Sequence, residues 1–312
     1  MAAVLIAQPS MASDFEKRSM MHKRELIARQ LAWSALPEEV QEDLARRDPK
    51  EYDLNWEMYV RDDEEGDDHQ NLIKRQDGQA GLGAKHCKDG QIAYTLDDGP
   101  YHWTGKSAQI LADAGHKISY FINVQNFDCA YSVQYVKQLR KAIRLGHDIC
   151  SHSATHPHLP QLTLAQVKKQ FKIVEKFTYK TLGLIPNCAR PPYGETTPEI
   201  NAYLRSQGYR VIQWSLDSGD ADGYTPQQSL DTIKQNVHKG SGDIILGHET
   251  HQTTIDDLIP RMIQYFDSQG IKSVGLGQCL KRKPYKVKLN KFPALDPSLN
   301  CVNQNVPLPG QT

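Results

Sequence analysis

Two adjacent carboxylates, Asp97 and Asp98, stand in "YTLDDGP" (94–100), where an apolar run ends and the chain must turn at Gly99 and Pro100. Like charges held side by side repel, and a bound cation offsets that cost. Downstream, "HSATHPH" (152–158) spaces His152 and His156 four residues apart, so one helical turn, or a tight loop leaving a strand, can bring both imidazoles to one ion. Two His and one carboxylate with an open position make the donor set of a catalytic zinc-type site. Asp98 can supply the third ligand and leave Asp97 ionised beside it as a base. Taken singly, neither motif requires a metal: Asp-Asp-Gly is an ordinary solvated turn, and an isolated H-x-x-x-H is commonly a His-rich loop. His158 has no place in this scheme.

Three further stretches carry chemistry. In "ARPPYGE" (189–195), two prolines stiffen the segment after Arg190, so its guanidinium can be held in one place to orient a carboxylate. In "WSLDSGDAD" (214–222) and "ILGHE" (245–249), His248 at a strand end, with Asp217 or Asp220 able to reach it, is the pattern of a general acid whose pKa a carboxylate raises. Trp214 and Leu246 can wall a pocket, although each alone is ordinary core.

The elements that would position these groups are short apolar runs: "QIAYTL", "KISYFINV", "HDICSH", "YRVIQWSL", "DIILGH" and "IKSVGL". Their length and their β-branched and aromatic content predict buried strands. Longer amphipathic stretches separate them, among them "GKSAQILADAG", "VQYVKQLRKAIRLG", "TLAQVKKQFKIVEKFTYKTLG" and "TPEINAYLRSQG", several closed by a helix-terminating Gly. Alternation of this kind predicts a parallel sheet, closed into a barrel or doubly wound. The polar residues of interest then fall at the carboxyl ends of four strands, the edge where α/β sites assemble.

The 312 residues balance 37 Lys and Arg against 37 Asp and Glu. Residues 1–75 hold 11 of the former and 17 of the latter, so residues 76–312 carry a formal charge of +6. No basic run interleaved with aromatics occurs, which argues against a nucleic-acid partner, and no apolar stretch is long enough to span a bilayer. Residues 38–75 are acid-rich without a sustained apolar period and are expected to be poorly ordered. The dibasic Lys74-Arg75 in a polar segment suits proteolytic processing, so residues 1–75 are expected to be a pro-region or a disordered acidic segment. "MAAVLIA" is too short for the apolar region of a secretory signal. The six cysteines (Cys87, Cys129, Cys150, Cys188, Cys279, Cys301) all lie beyond residue 86, with no C-x-x-C pair, and fit an oxidising compartment without revealing their pairing. The Pro-rich end, 281–312, is expected to be an irregular extension, with Cys301 as a tether.

Together "TLDDG", "HSATH", "RPPYG", "WSLDSGD" and "LGH" stand in the order found in polysaccharide deacetylases of carbohydrate esterase family 4, which the chain resembles over residues 90–280, with a likeness to fungal chitin deacetylases. The resemblance implies a distorted, incompletely closed (β/α) barrel with six or seven parallel strands. It implies that Asp98, His152 and His156 bind a divalent ion, zinc first and cobalt as the alternative, and that Asp97 is the base. By the same resemblance the backbone N–H of Tyr193 and the metal hold the oxyanion, and His248 protonates the leaving amine. Asp220 then holds His248, Arg190 holds Asp97, and Trp214 with Leu246 enclose the acetyl methyl. The chain departs from the family at Leu96, where Phe is usual, and at Ala221, where Trp is usual; the latter removes one wall of the groove. Cys150 also replaces a small residue, and is either a buried thiol or half of a disulfide, with Cys129 as one partner. The family's pattern pairs Cys87 with Cys279.

The expectation is therefore a catalytic domain over 76–280: a secreted, extracellular or cell-wall, metal-dependent hydrolase removing acetyl groups from N-acetylglucosamine polymers, chitin first, and acting as a monomer. Peptidoglycan and acetylxylan are the alternatives of the same fold, and a non-catalytic glycan-binding protein is the alternative of another class.

Overall fold

The computed structural model describes residues 11–56 and 83–310. Its main sheet has seven strands: β2 (Ala93–Asp97), β3 (Ser119–Ile122), β4 (Asp148–Ser151), β6 (Cys188–Ala189), β7 (Arg210–Val211), β8 (Leu216–Asp217) and β9 (Ile244–His248). They lie in the order β7-β6-β4-β3-β2-β9-β8, and every pairing is parallel. With helices in the crossovers, the sheet curls into an open half-barrel, the expected distorted and incompletely closed form. The central strands β2 and β3 are buried along their whole length, as strands covered on both faces must be.

The longest helix of the barrel, Leu164–Leu182, illustrates how local sequence sets these elements. Thr163 and Gln166 form a capping box at its start, and Gly183, at φ 66°, ends it in the left-handed conformation. Val167, Phe171, Val174 and Phe177 repeat at three- and four-residue spacing on the face it buries. Burying such a side chain stabilises by roughly 1.5–3 kcal/mol.

Several expectations are corrected here. "YRVIQWSL" is two short strands, β7 and β8, on opposite edges of the sheet. "IKSVGL" is not a strand: Ser273 makes one bridge to Ile92, and a short helix, Leu276–Cys279, begins at once. The amides a strand would have paired are taken by side chains, Leu276 N–H by Ser119 Oγ and Gly277 N–H by Asp148 Oδ2. Nor are residues 38–56 poorly ordered. A helix, Glu38–Ala45, buries Val40 and Leu44 against Tyr179, Ile185, Val287 and Leu289. After it β1 (Tyr52–Leu54) pairs antiparallel with β10 (Tyr285–Leu289), which pairs in turn with β5 (Leu184–Pro186). Two apolar residues four apart suffice to dock a helix whose other positions are charged. Lys74-Arg75 lies outside the described residues.

Three disulfides close the fold: Cys87–Cys279, Cys129–Cys301 and Cys150–Cys188. The first is the pairing the resemblance implies, and the second tethers the extension as expected. Cys150 is half of a disulfide, as one of the two readings had it, but its partner is Cys188 and not Cys129. Cys188 is nearer, because β4 and β6 are adjacent with Ser151 opposite Ala189, which leaves the two Cα atoms 5.0 Å apart.

Candidate metal centre and active site

The strand ends bring the expected residues to one place. Asp97 closes β2, His248 closes β9 in register beside it, His152 follows β4, and Arg190 follows β6. Because side chains alternate along a strand, Thr95 and Asp97 share one face of β2, as Leu246 and His248 share one face of β9. Leu246 is thus buried in register with Thr95, next to the His248–Asp97 pair. Trp214 is half-buried, 5.5 Å from the Arg190 guanidinium, with its ring against Gly194.

Arg190, fully buried, donates from Nη1 to Asp97 Oδ1 (2.7 Å) and to Thr95 Oγ1 (2.9 Å), and from Nη2 to the Gln213 carbonyl (3.1 Å). Phe121 stacks beneath it, 4.1 Å from the guanidinium carbon. Burial raises the Asp97 carboxyl above the ordinary carboxylate value, while Arg190 and His248 work to lower it.

Asp98, His152 and His156 offer one donor atom each within 4.8 Å of one another. Asp98 Oδ1 lies 3.2 Å from His156 Nε2 and 3.5 Å from His152 Nε2, buried and with no hydrogen-bond partner. His152 Nδ1 donates to the Arg190 carbonyl at 2.8 Å, which leaves its Nε2 lone pair free. Burial lowers both imidazoles to about 3, so they are neutral, as ligands must be. Burial raises Asp98 to about 6, and the adjacent Asp97 and Asp220 add to this. An orphaned carboxylate oxygen facing two neutral imidazoles suits a divalent cation, so the residues present fit the metal that the fold implies. Asp97 stands to one side of this triangle: its Oδ2 is 3.6 Å from His152 Nε2, and its other oxygen belongs to Arg190.

The loop carrying the two His is not a helical turn. Ser153 and His156 have φ of 67° and 57°, and Asp98 and Tyr193 also occupy the left-handed region, at 76° and 58°. Four such non-glycine residues at one site indicate backbone strain that the surroundings must hold. Gly99 is required beside them, because a Cβ there would meet Glu249 Oε1 at 1.5 Å. Glu249 is fully buried, and burial pushes its carboxyl up to about 8.

On the adjacent strand β9, His248 Nδ1 donates to Asp220 Oδ1 at 2.8 Å, and its backbone N–H donates to Asp220 Oδ2 at 2.8 Å. Burial disfavours the charged imidazole, but the Asp220 carboxylate prevails and raises it to about 9. Asp217 takes another role, accepting from Gly219 N–H within its own turn.

Residues 84–212 match the polysaccharide deacetylase family. Over that stretch the chain is similar to this family. The chain is 32% identical over 195 residues to a probable peptidoglycan-N-acetylglucosamine deacetylase of Arthroderma benhamiae, covering 61% of this chain and 44% of that protein. It is 29% identical over 196 residues to a chitin deacetylase of the same organism, covering 62% and 52%. It thus spans about half the length of these two relatives. The solved chitin deacetylase of Colletotrichum lindemuthianum superposes with a TM-score of 0.62 at 26% identity, covering 68% of this chain and 95% of that one.

The site also relies on residues that motif reading passed over. Gln170, in the helix Leu164–Leu182, accepts through Oε1 from the Ala154 and Thr155 amides and donates to Thr155 Oγ1, pinning the His loop from behind. Asn123 donates to the carbonyls of His152 and Ser153. Thr254 Oγ1 donates to Asp220 Oδ2 at 2.7 Å. Gln170 had a signal, a polar residue inside an apolar helical stripe; Asn123 and Thr254 had none. His158, without a role in the sequence, stacks on Tyr193 and pairs with Glu195.

Proposed function

We propose that this domain hydrolyses the acetamido group of N-acetylglucosamine units in a polysaccharide, chitin first. The observation that carries the reading is the Asp98–His152–His156 triangle, together with a neighbouring carboxylate fixed by a buried Arg and an imidazole kept charged by Asp220. A divalent cation held by Asp98, His152 and His156 would supply Lewis-acid polarisation of the acetyl carbonyl and acidify water.

The chain's own residues do the rest. Asp97 takes a proton from the water whose oxygen bonds to the carbonyl carbon. The Tyr193 N–H donates to the developing oxyanion. His248, charged at neutral pH, gives its proton to the amine nitrogen as the C–N bond breaks, releasing acetate and a glucosamine unit. Arg190 and Asp220 orient the base and the acid, and Trp214 and Leu246 give the acetyl methyl an apolar surround.

No helix among the described residues is long and apolar enough to cross a membrane. Three formed disulfides support folding in an oxidising compartment, and with it secretion to the exterior or the cell wall. Processing after Lys74-Arg75, with a catalytic unit from residue 76 to 280, belongs to the same proposal; N-terminal sequencing of exported protein checks it, with Gln76 as the expected start.

The deciding experiment is acetate release from N-acetylglucosamine oligomers, peptidoglycan and acetylxylan, after chelation and after return of zinc or cobalt. Release from the oligomers, restored by metal, is expected. Release from acetylxylan alone would make the protein an esterase, and binding without release under any metal would make it a glycan-binding protein.

A further inference from the structure

Tyr193 lies between two imidazoles. On one side the His156 ring meets it at 4.5 Å between centroids with the planes 67° apart; on the other His158 stacks on it at 4.1 Å, nearly parallel at 9°. His158 Nδ1 is in turn 2.8 Å from Glu195 Oε2. The column therefore runs from a metal-centre residue, through Tyr193, to a carboxylate two positions further along Tyr193's own segment.

This arrangement has a task to perform. Tyr193 has φ of 58°, a left-handed conformation that a residue with a side chain adopts only where its surroundings hold it. The residue is 54% exposed, so core packing does not do this. On the chain side, Pro191 and Pro192 stiffen the approach, and Gly194 and Glu195 close a turn through N–H bonds to the Pro191 and Pro192 carbonyls, both 3.0 Å. What is left to fix is rotation of the Tyr193 peptide within that turn, and a ring held between an edge contact to His156 and a stack on His158 fixes it. The segment supplies one partner of the clamp, Glu195, and the His loop supplies the other two, so the clamp also ties the two loops together.

We infer that His158 and Glu195 are positioning residues, a stacking clamp that holds the Tyr193 peptide so that its N–H points at the reacting carbonyl. This rests on the proposed hydrolase reading. An oxyanion donor that is removed outright costs about 10²–10³ in rate. One that is loosened costs less, and His158→Ala is expected to lower kcat about tenfold.

The test uses the full chain with zinc restored and N-acetylglucosamine oligomers as substrate. Amide hydrogen exchange over residues 190–197 is measured on the same proteins without substrate. For His158→Ala, kcat falls about tenfold with KM within twofold, zinc content stays unchanged, and the Gly194 and Glu195 amides exchange faster. His158→Phe keeps the stack and regains most of kcat; Glu195→Ala gives a smaller loss that Glu195→Gln restores. A raised KM with unchanged kcat would overturn the inference, because the rings would then be a platform for sugar. Loss of zinc would also overturn it, because His158 would then be acting on His156. So would unchanged exchange. If the unaltered protein releases no acetate, the hydrolase reading fails, and the exchange result alone decides whether the clamp exists.

Discussion

Asp97 and Asp98 are neighbours in sequence that face different partners: Asp97 Oδ1 is held by Arg190 at 2.7 Å, whereas Asp98 Oδ1 faces His156 at 3.2 Å and His152 at 3.5 Å. Asp97→Asn is therefore expected to lower acetate release by about 10²–10⁴-fold, the usual contribution of a general base. Zinc, measured by elemental analysis, should stay near one per chain. Asp98→Asn should lose the metal instead. The reverse pattern would exchange the two roles.

Arg190 is fully buried, and its charge is balanced by Asp97. Truncating one partner of a buried pair leaves the other charge without compensation, at a cost of about 3–5 kcal/mol. Arg190→Met should lower stability by that order in chemical denaturation. In Asp97→Asn/Arg190→Met the loss should be smaller than the sum of the two single losses, because no orphan charge remains.

In the proposed reaction His248 gives its proton to the leaving amine, and burial and Asp220 pull its pKa in opposite directions. Asp220 prevails and holds it at about 9, so His248 is protonated through neutral pH and loses its proton as the pH rises past that value. The rate should fall on the alkaline side accordingly. In Asp220→Asn burial acts unopposed by that carboxylate, and the alkaline limb of the pH–rate profile should move to lower pH. An unmoved limb would assign it to another group.

Much of this site was legible because its chemistry sits on a regular scaffold. A short apolar run followed at once by Asp, His or Arg marks a strand and its carboxyl end together, which is why Asp97, His152 and His248 fall where their types suggest. Arg190 was legible for a different reason, since two prolines after it limit where its side chain can go. The rest was hidden by length and by neighbours. β5 and β6 have three and two residues, too few for any period. In 271–276 the composition of a strand was present, but the Ser273 and Leu276 amides go to the side chains of His116 and Ser119. The Cys150 partner depended on strand order, which follows from packing of the whole sheet and not from spacing. Val40 and Leu44 were masked by the charged residues around them.

Those two residues give a separate expectation. Leu44 is 1% exposed, in a small cluster with Ile185 and Val287 that is distinct from the barrel core. Leu44→Ala should weaken docking of the Glu38–Ala45 helix by about 2–5 kcal/mol. Limited proteolysis should then cut within residues 38–56 sooner than in the unaltered chain, while acetate release stays the same. Faster cutting across the barrel as well would mean that this helix supports the whole fold.

The bond between Cys150 and Cys188 sits two residues behind His152 on one strand and two residues behind Arg190 on the next. β4 and β6 have Ser151 and Ala189 as their one register pair, so this covalent link adds to the hydrogen bonds, His152 Nδ1 to the Arg190 carbonyl and Arg190 N–H to the Ser151 carbonyl, that join the loop carrying the imidazoles to the arginine that holds Asp97. Translation does not install it; an oxidant does, after synthesis. A preparation folded in a reducing cytosol can hold every residue of the site and still differ from exported material in how firmly its two halves are joined. Specific activity then records the redox history of a batch, and a silent recombinant sample is evidence about its folding before it is evidence about its chemistry.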